Sequence, residues 1–402
     1  MKTYIFLNNS VRQMGGAQMY IRNKMLDLEA RGWHVEVFYN MNGKILIPEL
    51  RKFEKNFIPE LGLPLFSLSK SKRNKVLNKI AACISSDEVI IESVCFTFRH
   101  WGELIAKRLS GLNLLFFVNE DYPNLSRADE EYLLWKQRRG EFLNDRMIKE
   151  KVSTRIIAEH DDNHFLKLTP YNNVLSYDEF NFQYDNTLPV ITSIGRLEKN
   201  YILPMVKEVI KFADCNNIKV NLFFIGGTYD PIYLDEIKSE FAKTEKVIPL
   251  FFGYTFPIPI DIIKASDVII AVSGSVLVGA SQNIPTISIE VNDTYPLGVF
   301  GHTTNSRLYR TTEPIISTSE LLKHIILEGK YREPIIYVDQ DAESINQYNA
   351  VILEKIRYNS KEYYNIDNIF SKMDYIYYNT KIIIRRLFGN SIIDKIKETL
   401  KK

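Results

Sequence analysis

Cysteine is scarce in this chain: Cys83, Cys95 and Cys215 are the only three in 402 residues, and no metal-ligand spacing links them. That argues against a disulfide framework and suits buried apolar thiols in a reducing compartment. Histidine is also sparse. Of six, His160 and His164 stand four apart without a third ligand, so no zinc pattern forms and no metal is expected. No apolar run approaches the roughly 20 residues needed to cross a bilayer. Met1-Lys2-Thr3 leads straight into a strand pattern, so no signal peptide is expected and the cytoplasm is the expected location. An excess of one charge is missing too. Lys and Arg number 51 against 49 Asp and Glu, and a net +2 argues against a general nucleic-acid binder. There is no internal repeat and no low-complexity segment. Against these absences, 45% of the residues are apolar and 25% charged, as in a globular chain. At this length, two cores and two domains are the natural expectation.

The densest signal runs from Ala265 to Ile289. Val268 to Val272 is an apolar β-branched run, as in a strand buried on both faces of a parallel sheet. Ser273-Gly274-Ser275 turns the chain. Val276 to Ser281 begins a short helix, Asn283 closes it in a left-handed cap, and Pro285 stops its continuation. Thr286 to Ile289 is the next strand. A small-residue turn between a strand's carboxyl end and a helix's amino end presents N–H groups and a dipole that favour a phosphate. An ordinary tight connection has the same sequence.

At the start of the chain, Tyr4 to Leu7 reads as a strand, and Gly15-Gly16 opens a helix ending near Arg31. Ala17, Ile21, Met25 and Leu28 recur at helical spacing, Gly32 closes the helix, and His34 to Phe38 is a second strand. This is the opening of a doubly wound α/β domain. Two further strands, Glu88 to Glu92 and Leu114 to Val118, run into loops. The second loop holds Glu120 and Asp121, just past a strand's carboxyl end, where α/β ligands bind. Those carboxylates either face a ligand or form a solvated turn. His100 reads as a structural histidine. The polar run from Ser176 to Thr187 reads as a linker between domains.

The second half opens with the strand Val190 to Ile194 and then Gly195-Arg196-Leu197-Glu198-Lys199-Asn200. Two cations at a strand's end suit a diphosphate, since arginine offers two parallel N–H bonds and lysine a point charge. A plain surface charge pair with Glu198 is the alternative. Gly226-Gly227 and Gly253-Tyr254 follow at the next two strand ends. Glu290 to Tyr309 reads as irregular. Helices are expected at Ser319 to Leu327, at Ala342 to Tyr358 and at Tyr364 to Tyr378. The tail from Lys381 carries seven cations against two acids.

These motifs, in this order, resemble the GT-B glycosyltransferases of the group-1 (GT4) family. The matches are Gly15-Gly16-Ala17, Gly195-Arg196-Leu197 with Lys199, Ser266-Asp267-Val268, the Ser273-Gly274-Ser275 loop, and Asn283-Ile284-Pro285-Thr286-Ile287. The chain departs from the family's Glu-x7-Glu pair, whose second position falls on Val278. The Ser-Gly-Ser turn also resembles nucleotide-sugar epimerases of the same architecture. The resemblance implies an α/β GT-B fold with two Rossmann-like domains facing a cleft. An acceptor-side domain would span residues 1–180, a nucleotide-sugar domain 188–350, and returning helices with a basic tail 351–402. It implies that Arg196, Lys199, Ser273, Gly274 and Ser275 hold the donor diphosphate. Gly227 and Tyr254 would border the nucleobase, Gly15 and Gly16 would approach the donor, and Glu120 and Asp121 would serve the acceptor. The nucleotide sugar is then a substrate and no cofactor is needed. The implied function is metal-independent, retaining transfer of a hexose to a saccharide or lipid-linked acceptor in bacterial surface polysaccharide synthesis, with the basic tail at the inner face of the membrane. The alternatives are a non-catalytic GT-B subunit that binds glycan or a partner enzyme, and an epimerase.

Overall fold

The computed structural model describes residues 2–12, 14–86, 88–117, 126–143, 174–335 and 362–369, with single positions at 376 and 380. The chain divides into two compact units. One comprises residues 1–169 with 340–402, the other residues 170–339.

The first unit is a four-stranded parallel sheet. Its strands are β1 (Lys2–Asn8), β2 (Trp33–Tyr39), β3 (Glu88–Ser93) and β4 (Leu112–Leu115), in spatial order β2-β1-β3-β4. In α1 (Gly16–Ala30), Ala17, Ile21, Met25 and Leu28 are buried, which is the stripe that their spacing predicts. Gly32 follows at φ 80 and ends the helix. After β2 the chain makes three short 3-10 turns before α2 (Lys70–Ala81), α3 (Arg99–Leu109) and α4 (Arg127–Arg138). One core joins Ile5, Leu7, Phe38, Val76, Ile80, Trp101, Ile105 and Tyr132.

This core contains buried charge, all of it paired. Lys24 meets Glu92, which also accepts from the hydroxyls of Tyr4 and Tyr20. Burial pulls the Lys24 ammonium down to about 7, against the pull of Glu92. Lys136 lies 2.6 Å from Glu103 and 2.8 Å from Glu141. Glu103 also accepts from the Tyr364 N–H at 2.9 Å. Residues 362–369 therefore pack into the first unit. Ile366 and Ile369 join its core, and the Tyr364 ring meets Tyr132 and Trp135 at 5.1 and 5.4 Å.

The second unit is a six-stranded sheet in the order β12-β11-β10-β6-β7-β8. Its strands are β6 (Val190–Ile194), β7 (Val220–Ile225), β8 (Val247–Gly253), β10 (Val268–Ala271), β11 (Thr286–Ile289) and β12 (Pro296–Val299). All neighbours are parallel except β11 and β12, which pair antiparallel. β12 lies in the stretch read from sequence as irregular. The linker reading of residues 176–187 also changes. β5 (Leu175–Ser176) pairs with β9 (Ile258–Pro259), and Phe182 packs edge-on against Phe223 and Phe252. Tyr184 stacks on Phe182 at 5.2 Å, so this segment belongs to the second unit. Asn283 has φ 57, the left-handed cap expected before Pro285. The helix expected from Ser319 to Leu327 is an α-helix at Thr318–Leu322 that widens into a π turn at Lys323–Leu327. The expected helix at 342–358, most of the one at 364–378, and the basic tail lie outside the described residues.

Candidate functional site

Three turns meet at the carboxyl ends of β6, β7 and β8, and backbone bonds lock them together. The Gly195 N–H donates to the Ile225 carbonyl at 3.0 Å, Leu197 N–H to Gly227 at 3.0 Å, and Gly226 N–H to Gly253 at 2.8 Å. Approach this close leaves no space for side chains. A Cβ on Gly226, whose φ is 137, falls 2.0 Å from the Gly195 carbonyl oxygen. One on Gly227 falls 2.7 Å from the Tyr254 ring, and one on Gly195 falls 2.2 Å from the Tyr201 hydroxyl. The glycines are thus required by the turns themselves, and the result is a floor of half-buried backbone at the sheet's carboxyl edge.

The side chains around this floor form one electrostatic group. Arg196 Nη1 lies 3.1 Å from Glu198 Oε1, and the arginine side chain is 34% exposed. Glu198 Oε2 is buried and has no hydrogen-bond partner among the described residues. The Tyr254 ring stacks on Tyr229 at 5.1 Å. Burial raises the Tyr254 phenol well above its usual range, Tyr229 and Glu198 add to the rise, and the Arg196 cation partly offsets it. Tyr201 is likewise raised by burial and eased by Arg196. Glu198, Tyr201 and Tyr254 therefore all feel one guanidinium. Lys199 is exposed, and its N–H closes a turn onto the Arg196 carbonyl at 3.1 Å. Asn200 donates to the Val291 carbonyl at 3.0 Å, tying this turn to the loop after β11.

The Ser273-Gly274-Ser275 turn is a single 3-10 turn. Ser273 sits at φ 57, and its N–H donates to the Arg307 carbonyl at 2.8 Å. The Ser275 N–H donates to Val272 at 3.3 Å. Two of the three amides expected to face a phosphate are therefore spent inside the protein. The helix that follows, Val276–Ala280, is only five residues long. Val278, where the group-1 pattern has its second glutamate, is buried in a core with Ile269, Ala271 and Ile284.

In the first unit, Gly15 is the N-cap of α1 in extended backbone at φ −172 and Gly16 is its first residue. A Cβ on Gly15 meets only the tip of Gln18, at 3.2 Å, so internal packing does not demand the glycine. Gln18 donates to the Ser10 carbonyl at 2.6 Å and shapes the loop before the helix. That loop carries a cation that sequence reading passed over. Arg12 donates to the Tyr39 hydroxyl at 3.0 Å and the Gly43 carbonyl at 2.6 Å, next to the carboxyl ends of β1 and β2. Glu120 and Asp121 lie outside the described residues. The helix after them, α4, is pinned by Arg99, which donates to Asp129 at 2.6 Å. His100 Nε2 is 3.2 Å from the same carboxylate. Burial and the Arg99 cation lower His100 to about 4, so it is neutral at pH 7. Burial works to raise Asp129, but His100 and Arg99 hold it below the usual carboxylate range. Among the described residues, no three His, Cys, Asp or Glu side chains are grouped to hold a metal. None of their helices is long and apolar enough to cross a membrane.

The same arrangement of elements occurs in known structures. The chain is similar to a glycosyltransferase from Rickettsia africae, with TM-score 0.60 at 15% identity, over 89% of this chain and 99% of that one. HepE of Anabaena, in complex with UDP and glucose, gives TM-score 0.55 at 14% identity over 88% and 100%. A putative UDP-N-acetylglucosamine 2-epimerase from Listeria monocytogenes gives TM-score 0.51 at 12% identity over 90% and 98%. The chain has the GT-B fold. No family model matches it, and no curated protein matches it in sequence. A GT-B fold at these identities is shared by transferases and epimerases, so chemistry must be argued from the residues at the sheet's edge.

Proposed function

We propose that the protein is a glycosyltransferase that takes a sugar from a nucleotide sugar. One observation carries the reading. Arg196 stands beside Glu198, Tyr201 and Tyr254 on a floor of glycine backbone, at the carboxyl ends of three adjacent parallel strands. In doubly wound sheets this edge is where ligands bind. As the bond from sugar to phosphate breaks, negative charge gathers on the leaving diphosphate. A preorganised guanidinium stabilises that charge more in the transition state than in the bound donor. Lys199 adds a second cation, the exposed Tyr229, stacked on the half-buried Tyr254, offers an aromatic face to a base, and Gly274 supplies the third amide of its turn. In this reading the donor belongs to the second unit. The acceptor, a saccharide or lipid-linked glycan, belongs to the first, with Gly15 and Gly16 admitting the sugar and Glu120 or Asp121 orienting the acceptor hydroxyl. HepE was solved with UDP and glucose, which favours a uridine nucleotide among the donors to try first. Transfer with retention and a place in bacterial surface polysaccharide synthesis complete the proposal, with the basic tail at the membrane.

The burial of Val278 favours a second reading. A core residue where the family carries a carboxylate is what a non-catalytic GT-B subunit would show. A panel of nucleotide sugars separates the readings, scored for protection against thermal unfolding, for donor hydrolysis and for product without acceptor. Protection with slow hydrolysis is expected of a transferase. Isomerised sugar would make the protein an epimerase. No protection at millimolar ligand would leave the non-catalytic subunit.

A further inference from the structure

Three residues apart in the stretch after β12, two arginines are held in opposite ways. Arg310 is fully engaged. Its Nε lies 3.3 Å from Asp293 Oδ2, its Nη1 donates to the Glu313 and Pro314 carbonyls at 3.3 and 3.0 Å, and its Nη2 donates to the Pro296 carbonyl at 3.0 Å. Arg307 is half-buried, yet its guanidinium has no hydrogen bond or ion pair among the described residues. The carboxylates of the same stretch are committed elsewhere. Glu290 accepts from the N–H groups of Asn292 and Asp293, Asp293 takes Arg310, and Glu313 accepts from the Thr304 hydroxyl and the Thr311 N–H.

The backbone around Arg307 is nonetheless fixed. Three successive carbonyls are tied to three points at the sheet's carboxyl edge. Ser306 accepts from the Ser288 hydroxyl at 3.0 Å, Arg307 from the Ser273 N–H at 2.8 Å, and Leu308 from the Val291 N–H at 3.0 Å. Ala271 pairs in register with Ile194, so Ser273 and Arg196 each stand two residues beyond the paired ends of the adjacent strands β10 and β6. The Ser-Gly-Ser turn is thus flanked by Arg196 on its β6 side and by Arg307 on its β11 side. The amide that Ser273 does not offer to a ligand instead holds a cation beside the turn. A cation partly withdrawn from water without a counter-charge costs free energy, which a bound anion offsets.

We propose that Arg307 is a second diphosphate-binding residue, so that two guanidiniums grip the nucleotide's diphosphate from opposite flanks of the Ser-Gly-Ser turn. The role rests on the reading of this edge as a nucleotide-sugar site, and it adds a residue that no sequence motif marks. Each guanidinium can donate two parallel N–H bonds to phosphate oxygens. Both are in place before the bond from sugar to phosphate breaks, so both stabilise the charge that develops on the leaving diphosphate.

The full chain is titrated calorimetrically with UDP, GDP and ADP, and the tightest binder is compared with its own nucleoside. Arg307→Gln should weaken the diphosphate about 10- to 100-fold, as loss of hydrogen bonds to a charged group does, and leave the nucleoside unchanged. Arg307→Lys should restore part of the loss. The Ser273 bond uses the Arg307 carbonyl, which substitution keeps, so the unfolding midpoint should move by no more than about 2 °C. Arg310→Gln should do the reverse, lowering the midpoint and keeping diphosphate affinity. Equal diphosphate affinity in Arg307→Gln and wild type overturns the proposal and leaves the nucleotide reading standing. So does a loss shared by the nucleoside or by Arg310→Gln, since the stretch would then act by its shape alone. If the wild type binds none of the three nucleotides at millimolar concentration, the nucleotide reading itself fails and the role of Arg307 falls with it.

Discussion

Replacing Arg196 by alanine tests the proposed donor site most directly. In the free protein the guanidinium holds Glu198 at 3.1 Å, and both side chains are partly exposed, at 34% and 21%. A pair this accessible contributes only about 0–1 kcal/mol to folding. Arg196→Ala should therefore fold normally, with a midpoint shift of a few degrees at most. The cost appears with ligand. Truncating one partner of a buried charge pair costs about 2–5 kcal/mol. A third of the side chain faces water, so the lower part of that range applies, about 2–3 kcal/mol or roughly 30- to 200-fold. Glu198 adds to the loss, because without the guanidinium its carboxylate stands against the phosphate. Glu198→Gln in the Arg196→Ala background should thus recover part of the affinity, whereas Glu198→Gln alone should not tighten binding to the same extent. Arg196→Lys should recover only part, since a point charge cannot form two parallel N–H bonds. Calorimetry with nucleotide, and release of nucleoside diphosphate with donor and acceptor, read the two halves of the effect. Turnover should fall at least as far as affinity, because the leaving group is most charged in the transition state. If Arg196→Ala binds donor as tightly as wild type, the diphosphate does not sit here and the reasoning fails.

Other consequences are equally open to test. Gly226→Ala meets a carbonyl oxygen at 2.0 Å from a φ of 137, and should lower stability by more than Gly227→Ala, whose Cβ meets a movable ring; chemical unfolding of both should show about 3 kcal/mol or more against about 1–2. His100 is lowered to about 4 from 6.5, so the unfolded chain binds the extra proton first as pH falls. The stability it protects is complete above pH 6.5 and lost towards pH 4, by about 2–3 kcal/mol. His100→Gln should flatten that slope, and parallel urea curves at pH 7 and 4.5 would refute the assignment. Tyr364→Ala removes a ring packed on Tyr132 and Trp135 and should cost about 2–3 kcal/mol, with loss concentrated in the first unit by hydrogen exchange. Asn or Gln at Glu120 or Asp121 should reduce transfer by about 10²–10⁴ without changing nucleotide affinity; full transfer in both variants removes them from the mechanism.

Much of the fold was readable from the sequence, because β-branched runs, helical stripes and left-handed caps are local signals. The stripe of α1 and the Asn283 cap are examples. What escaped was of three kinds. β12 was hidden because it begins with Pro296 and contains Gly298, residues that usually argue against a strand, yet antiparallel pairing at an edge tolerates both. The alternation of Phe180, Phe182 and Tyr184 was present, but acidic neighbours masked it, and it gains meaning only against Phe223 and Phe252. Site details failed wherever they depend on partners distant in sequence. Nothing near Ser273 says that its amide will be taken by the carbonyl of Arg307. Nothing near His100 announces Asp129, and nothing near Gly226 announces the oxygen of Gly195.

The docking of residues 362–369 into the first unit has a consequence for synthesis. Ile366 and Ile369 belong to the core that begins with β1, yet the ribosome makes them only after the whole second unit. Elongation runs at roughly 5–20 residues per second, so the growing chain waits roughly 10–40 s between finishing α4 and receiving the last pieces of that core. Throughout that interval Tyr132 and Trp135 lack the Tyr364 ring that meets them, while the second unit, continuous in sequence, is free to complete itself. The half of the protein made first is thus the half finished last. A premature stop before residue 362 would release a sound second unit tethered to an unfinished first one, a form that chaperones and proteases recognise by its uncovered apolar surface.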